Sequence, residues 1–445
     1  MSRILLLLLA LAAPALAEGI NAGDTAWMLV STALVLLMTP ALAFFYGGLV
    51  PQKNVLNTMM MSVASLGVVG ILWVLAGYSI AFGGEHQLIG DASFLFLGNV
   101  GLETKGTIPH LLFFCFQGSF AIITAALISG AVIGRMSFKA YLAFIALWSL
   151  LVYAPMAHWV WGGGWLATLG ALDFAGGTVV HINAGIAALV ITITLGPRQE
   201  HGRRALLPHN IPFVLLGTAL LWFGWFGFNA GSALEANSVA ALAFVNTAVC
   251  PMATLLTWLL VDIYRTGKAT AVGAATAVIV GLVSVTPAAG FISPMSAILI
   301  GFLATFPSYF MLMYRPRTKL DDSLDVFAGH GLGGISGAVL TGVFASKAYG
   351  TAGALEGNLK LLGIQVLAVL AAALFSAVAT WAILKVLSLL MPLRVEKKEE
   401  RTGLDLTSHG EEAYITGEGA ILVRSDSLPQ SVITRVDSDE WKSAS

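Results

Sequence analysis

The segment Asp173-Phe174-Ala175-Gly176-Gly177 leads into His181-Ile182-Asn183-Ala184-Gly185, and a similar segment, Asp325-Val326-Phe327-Ala328-Gly329, leads into His330-Gly331-Leu332-Gly333-Gly334. Each opens an apolar run long enough to cross a bilayer, the fifth and the tenth such run along the chain. A unit of five spans is odd, so a tandem copy enters the membrane from the opposite side. The pair therefore predicts two inverted five-helix halves, related by a pseudo-twofold axis in the membrane plane.

Working outward, apolar runs recur at about 25–47, 59–83, 109–133, 139–160, 174–196, 210–228, 236–261, 270–288, 292–313, 326–346 and 362–391. The expected fold is an all-α polytopic membrane protein of eleven transmembrane helices: repeat halves over about 25–196 and 210–346, and a C-terminal helix outside the symmetry. Of the 445 residues, 57% are hydrophobic and 11% charged, with mean hydropathy +0.85. That balance excludes an ordinary soluble domain, a disordered chain and a nucleic-acid binder. Gly and Ala throughout the runs suit helices that pack closely in lipid.

Residues 1–17, MSRILLLLLALAAPALA, place one Arg before a short apolar core and end on Ala15-Leu16-Ala17, the pattern of a cleaved signal peptide. The membrane domain then spans 18–393 and a polar cytoplasmic tail 394–445. Connections after odd-numbered spans carry Lys53, Arg135, Lys139, Arg198, Arg203, Arg204, Arg265, Lys268, Arg315, Arg317 and Lys319, whereas those after even-numbered spans carry Lys105, Lys347 and Lys360. The positive-inside rule then places the N-terminus outside and the C-terminus in the cytoplasm. Cys115 and Cys250 lie inside spans without metal-ligand spacing and read as small apolar core residues.

An imidazole within a span is costly unless it is paired or faces a cavity. One such His reads as a structural hydrogen bond, but His181 and His330 recur at matching repeat positions. Facing each other they can share a proton and offer donor and acceptor to a small polar solute. No Arg stripe, carboxylate ladder or phosphate-binding loop accompanies them. The transported species is expected to be small, and no cofactor or metal is implied.

Further stretches are AFFYGGLVPQKNVL at 43–56, FQGSFA at 116–121, HWVWGGGWL at 158–166, GALDFAGGTVVHINAG at 170–185, GWFGFNAGS at 224–232, ALAFVNT at 241–247, VTPAAGF at 285–291, DVFAGHGLGG at 325–334 and GLDLTSHGEEAY at 403–414. In this order the chain strongly resembles the ammonium transporter family (Amt/Mep/Rh). The resemblance implies a homotrimer of independent eleven-helix protomers, each with a narrow hydrophobic pore for ammonium or ammonia. It implies an external recruitment site at Phe120, Trp161 and Ser232, where ring faces attract a compact cation and a hydroxyl accepts an N–H. It also implies a gate of stacked rings, Phe120 and Phe228, above His181 and His330 as pore lining and possible proton relay.

Asp173 matches the family aspartate. It reads better as a cap on free N–H groups, a structural and electrostatic support, than as a direct ligand. Asp325 can do the same on the inner side, and Thr286 is a candidate for the outer vestibule. Trp159 reads as packing and His158 as an interfacial or loop contact. The tail segment 403–414 resembles the family's regulatory tail, which helps a PII signalling protein dock. The expected function is ammonium uptake in a bacterial inner membrane. The alternatives are an ammonium sensor and a Rhesus-like neutral ammonia or small-solute channel.

Overall fold

The computed structural model describes residues 19–203 and 206–414. The signal-peptide expectation and the extension after Tyr414 lie outside them. Among the described residues ten helices are long and apolar enough to cross a membrane, and an eleventh is shorter. In chain order they are α1 (Ala22–Leu49), α2 (Gln52–Phe82), α3 (His110–Ala131), α4 (Phe138–Leu169), α5 (Gly177–Leu195), α6 (Ile211–Gly231), α7 (Ser238–Thr266), α8 (Ala271–Val285), α9 (Pro294–Arg317), α10 (Phe327–Phe344) and α11 (Leu359–Leu390). The protein is an all-α, multi-pass membrane protein. A small two-stranded sheet pairs Thr104–Lys105 with Ile108–Pro109.

Local chemistry sets several helix starts. Asn21, Ser137, Asn237, Thr270 and Ser293 each cap free N–H groups of the helix that follows. Leu29, Ile71, Phe223, Leu256 and Leu374 are exposed on the outer surface, as lipid-facing side chains should be. Cys115 is exposed too, on the outer face of α3, while Cys250 is buried. The core assignment made for both thus holds only for Cys250, because a helix with one face outside the bundle exposes whatever that face carries.

Close approach depends on glycine. A Cβ on Gly217 would lie 2.4 Å from the backbone N of Phe45, and one on Gly224 2.4 Å from Met38 Cγ, so α6 seats against α1 only with hydrogens there. The fifth and tenth spans meet in the same way: a Cβ on Gly185 would sit 2.3 Å from Gly331 N.

The tail adds a feature that hydropathy cannot reveal. α2 starts about seven residues before its apolar run. Its first turn is finished by the tail: Asp405 accepts hydrogen bonds from Leu56 N and Asn57 N at 3.0 and 2.8 Å, and Asn54 Oδ1 accepts from Leu404 N. Reciprocally, Lys53 Nζ donates to the carbonyls of Glu400 and Arg401 at the end of the short tail helix α12 (Lys397–Thr402).

Candidate functional site: a guarded apolar bore

Both repeat-related helices open with a π-helical turn, Gly177–Ile182 in α5 and Phe327–Gly331 in α10. Such wide turns often mark functional positions. Each turn delivers one histidine to the interior. The rings of His181 and His330 lie nearly parallel, 21° apart with centroids separated by 5.2 Å, and their Nδ1 atoms are 3.2 Å apart. One proton between these nitrogens satisfies both. The Nε2 of His181 is buried with no partner among the described residues.

Above the histidines the side chains form a continuous file. His181 lies 6.0 Å from Phe228, ring centre to ring centre. Phe228 stacks on Phe120 at 4.2 Å and 26°, and Phe120 meets the edge of Trp161 at 5.9 Å and 89°. Ser232, one turn beyond Phe228 on α6, donates to the Phe228 carbonyl at 2.8 Å. Its oxygen lone pairs remain able to accept an N–H. The structure therefore joins Trp161, Phe120, Phe228, His181 and His330 ring to ring, with Ser232 tied to the file through backbone rather than through Trp161.

Asp173 braces the start of α5. Its two carboxylate oxygens accept from the backbone N–H groups of Gly176, Gly177, Thr178 and Val179 at 2.6–3.0 Å. Its carbonyl accepts from the Trp161 indole at 2.9 Å. One residue thus fixes both the start of the His181 turn and the plane of Trp161. With all its lone-pair directions turned inward, the carboxylate is placed as a brace.

Two placements differ from expectation. Asp325 does not cap α10. It adopts a left-handed backbone (φ 58) and its carboxylate pairs with Arg315, while Asp322 accepts from Phe327 N at 2.7 Å. The short DVFAG likeness hid this register: Asp322 stands eight residues before His330, as Asp173 stands eight before His181. Thr286 does not line an outer vestibule. It is fully buried, accepts from the Trp225 indole at 2.9 Å and donates to the Leu282 carbonyl.

Trp225 is the residue that sequence reading passed over. It stacks on His181 at 5.4 Å and 23° and also touches Phe228. The signal was its place three residues before Phe228, on the same helix face. His158 is buried and lies between the carbonyls of Ala81 and His86, a loop contact. Trp159 packs on Phe375.

His181, His330, Trp225 and Phe228, with the apolar side chains of Met38, Leu42, Leu127 and Ile279, line a cavity with about 10 Å³ of room for the centre of a water-sized molecule. That is near the minimum for a single water. The wall admits one small polar molecule and no hydration shell. Among the described residues no group of His, Cys, Asp and Glu could hold a metal ion.

A multi-pass membrane protein with stacked rings beside a small apolar cavity and a paired imidazole lining it belongs to a transport class rather than to the enzymes. The Ammonium Transporter Family profile matches residues 26–414, and the chain is a member of that family. An ammonium transporter of Aquifex aeolicus is 50% identical, over 89% of this chain and 94% of that one. The crystal structure of Candida albicans Mep2 superposes with TM-score 0.82 at 34% identity, covering 87% of this chain and 89% of the other. A protein described as "Sensor Amt Protein" gives TM-score 0.82 at 29% identity, covering 87% and 98%. The general function is ammonia or ammonium transport through a hydrophobic multi-span channel.

Proposed function

We propose that the outer aromatic site recruits ammonium and that the bore conducts ammonia, with a proton moved separately along the histidines. The observation that carries this reading is the unbroken ring file from Trp161 to His330, whose lower members, Phe228, His181 and His330, wall a cavity with very little free space. Trp161 and Phe120 offer π faces to a cation, an attraction of about 0.5–2 kcal/mol. The Ser232 hydroxyl accepts an N–H, which a potassium ion lacks. Below the stacked rings an intact charge finds no compensating group. Placing one at mid-membrane costs at least about 2.5–3.5 kcal/mol, so ammonium gives up its proton at the gate. Neutral ammonia then meets the unpartnered Nε2 of His181.

The working unit is a homotrimer in a bacterial inner membrane, N-terminus periplasmic and C-terminus cytoplasmic, and it serves nitrogen uptake. The docked tail presents a surface to a PII signalling protein. The test is current from purified protein in liposomes under an inward ammonium gradient. Robust current supports separated proton and ammonia transfer. Ammonia flux without current overturns it in favour of a neutral channel, and ammonium binding without flux identifies a sensor.

A further inference from the structure

On the tail side of the molecule, away from the bore, lies a cavity of about 520 Å³. That volume is in the range of small-molecule sites. Five cationic side chains line it from four separate segments: Lys53 in the first turn of α2, Arg198 and Arg203 in the link between α5 and α6, Arg315 at the end of α9, and Arg401 in the tail. Their donors are only partly used. Arg198 spends Nε and Nη2 on Asp321, Arg315 spends Nε and Nη2 on Asp325, and Arg401 spends Nε on Gln199. Among the described residues the remaining guanidinium nitrogens of these three, and all those of Arg203, have no partner.

The neighbouring carboxylates do not absorb this excess. Both oxygens of Glu400 are occupied, one by Gln199 N and the other by Arg394. Asp321 is shared among Arg198, Arg135 and His201. Cations outnumber carboxylates around the cavity even when Asp321 and Asp325 are counted with Glu200 and Glu400. Guanidinium forks with free N–H pairs suit the paired oxygens of a phosphate group better than a spherical ion such as chloride.

We propose that this cavity binds a phosphate-bearing anion, either a free phosphorylated small molecule or the headgroup of an anionic lipid. Bound there, the anion bridges Arg401 of the tail to Arg198 and Arg203 of the link between α5 and α6. The site needs nothing from the transport reading, and its test reads binding rather than flux.

Pyrophosphate is titrated by calorimetry into full-length protein in nanodiscs of phosphatidylcholine, against chloride of matched ionic strength. Thermal stability is compared in nanodiscs with and without phosphatidylglycerol. Arg203→Gln with Arg401→Gln serves as the variant, since both side chains are exposed at the rim and outside the bore. Saturable pyrophosphate binding, weakened about tenfold or more in the double variant, establishes the site for a free anion. Stabilisation found only with phosphatidylglycerol and lost in the double variant establishes it for a headgroup. Neither effect, or effects equal in wild type and double variant, overturns the proposal.

Discussion

The two histidines are delivered by similar turns that are braced differently. On the α5 side, Asp173 alone takes four backbone N–H groups and no cation. On the α10 side the work is divided: Asp322 takes Phe327 N with one oxygen, and its other oxygen has no hydrogen-bond partner among the described residues, while Asp325 faces Arg315. The α5 turn is thus braced by neutral N–H groups alone, whereas the α10 turn stands beside an arginine, although both deliver a histidine to the same cavity.

Replacing both His181 and His330 by Leu removes what the two sides hold in common. Current should fall about a hundredfold or more, the scale of a lost proton-transfer group. Full current from a correctly assembled protein would remove the histidines from the proton path. Asp173→Asn sets amide hydrogens against backbone N–H groups and should cost about 2–4 kcal/mol of stability. Asp322→Asn, with one bond at stake, should cost less than half as much. Equal losses in thermal melts would break the asymmetry.

Gly185→Ala forces the crossing at Gly331 apart and should destabilise by about 1–3 kcal/mol, with the two imidazoles separated. Transport at wild-type rate would show that the 3.2 Å contact is dispensable. Trp161→Leu acts on the outer side only and should raise the half-saturating ammonium concentration about tenfold, equivalent to ~1.4 kcal/mol of lost cation attraction. Unchanged competition by other monovalent cations would count against recruitment there.

The smallest effect concerns acid stability. Burial opposes the charge of Asp321, but hydrogen bonds and charge from Arg198, with Arg135 beside it, hold its carboxyl well below the usual carboxylate range. A depressed folded-state value means that the contribution is fully present above the unfolded value, about 3.9. It is lost as pH falls through that value toward the folded one. Melting temperature in nanodiscs should therefore decline below about pH 4, and Asp321→Asn should flatten that part of the curve.

The spans and their number were legible because apolar length is a property of consecutive residues. The paired histidines were legible because an imidazole in such a run is conspicuous. What escaped depends on contacts between distant segments. The early start of α2 rests on Asp405, far away in sequence, and hydropathy along 52–58 carries no trace of it. The Asp322 brace was concealed because a five-residue likeness outweighed the eight-residue spacing to the histidine. Trp225 and Thr286 were placed by each other, one from α6 and one from the end of α8, a pairing visible only in three dimensions.

The reciprocal caps between the tail and α2 also bear on how the protein is made. α2 is inserted while most of the chain is still unsynthesised, so its first N–H groups must wait at the membrane surface for Asp405 to emerge. The helix that begins second is completed among the last. A chain cut short before residue 405 keeps every span and lacks the groups that complete that turn.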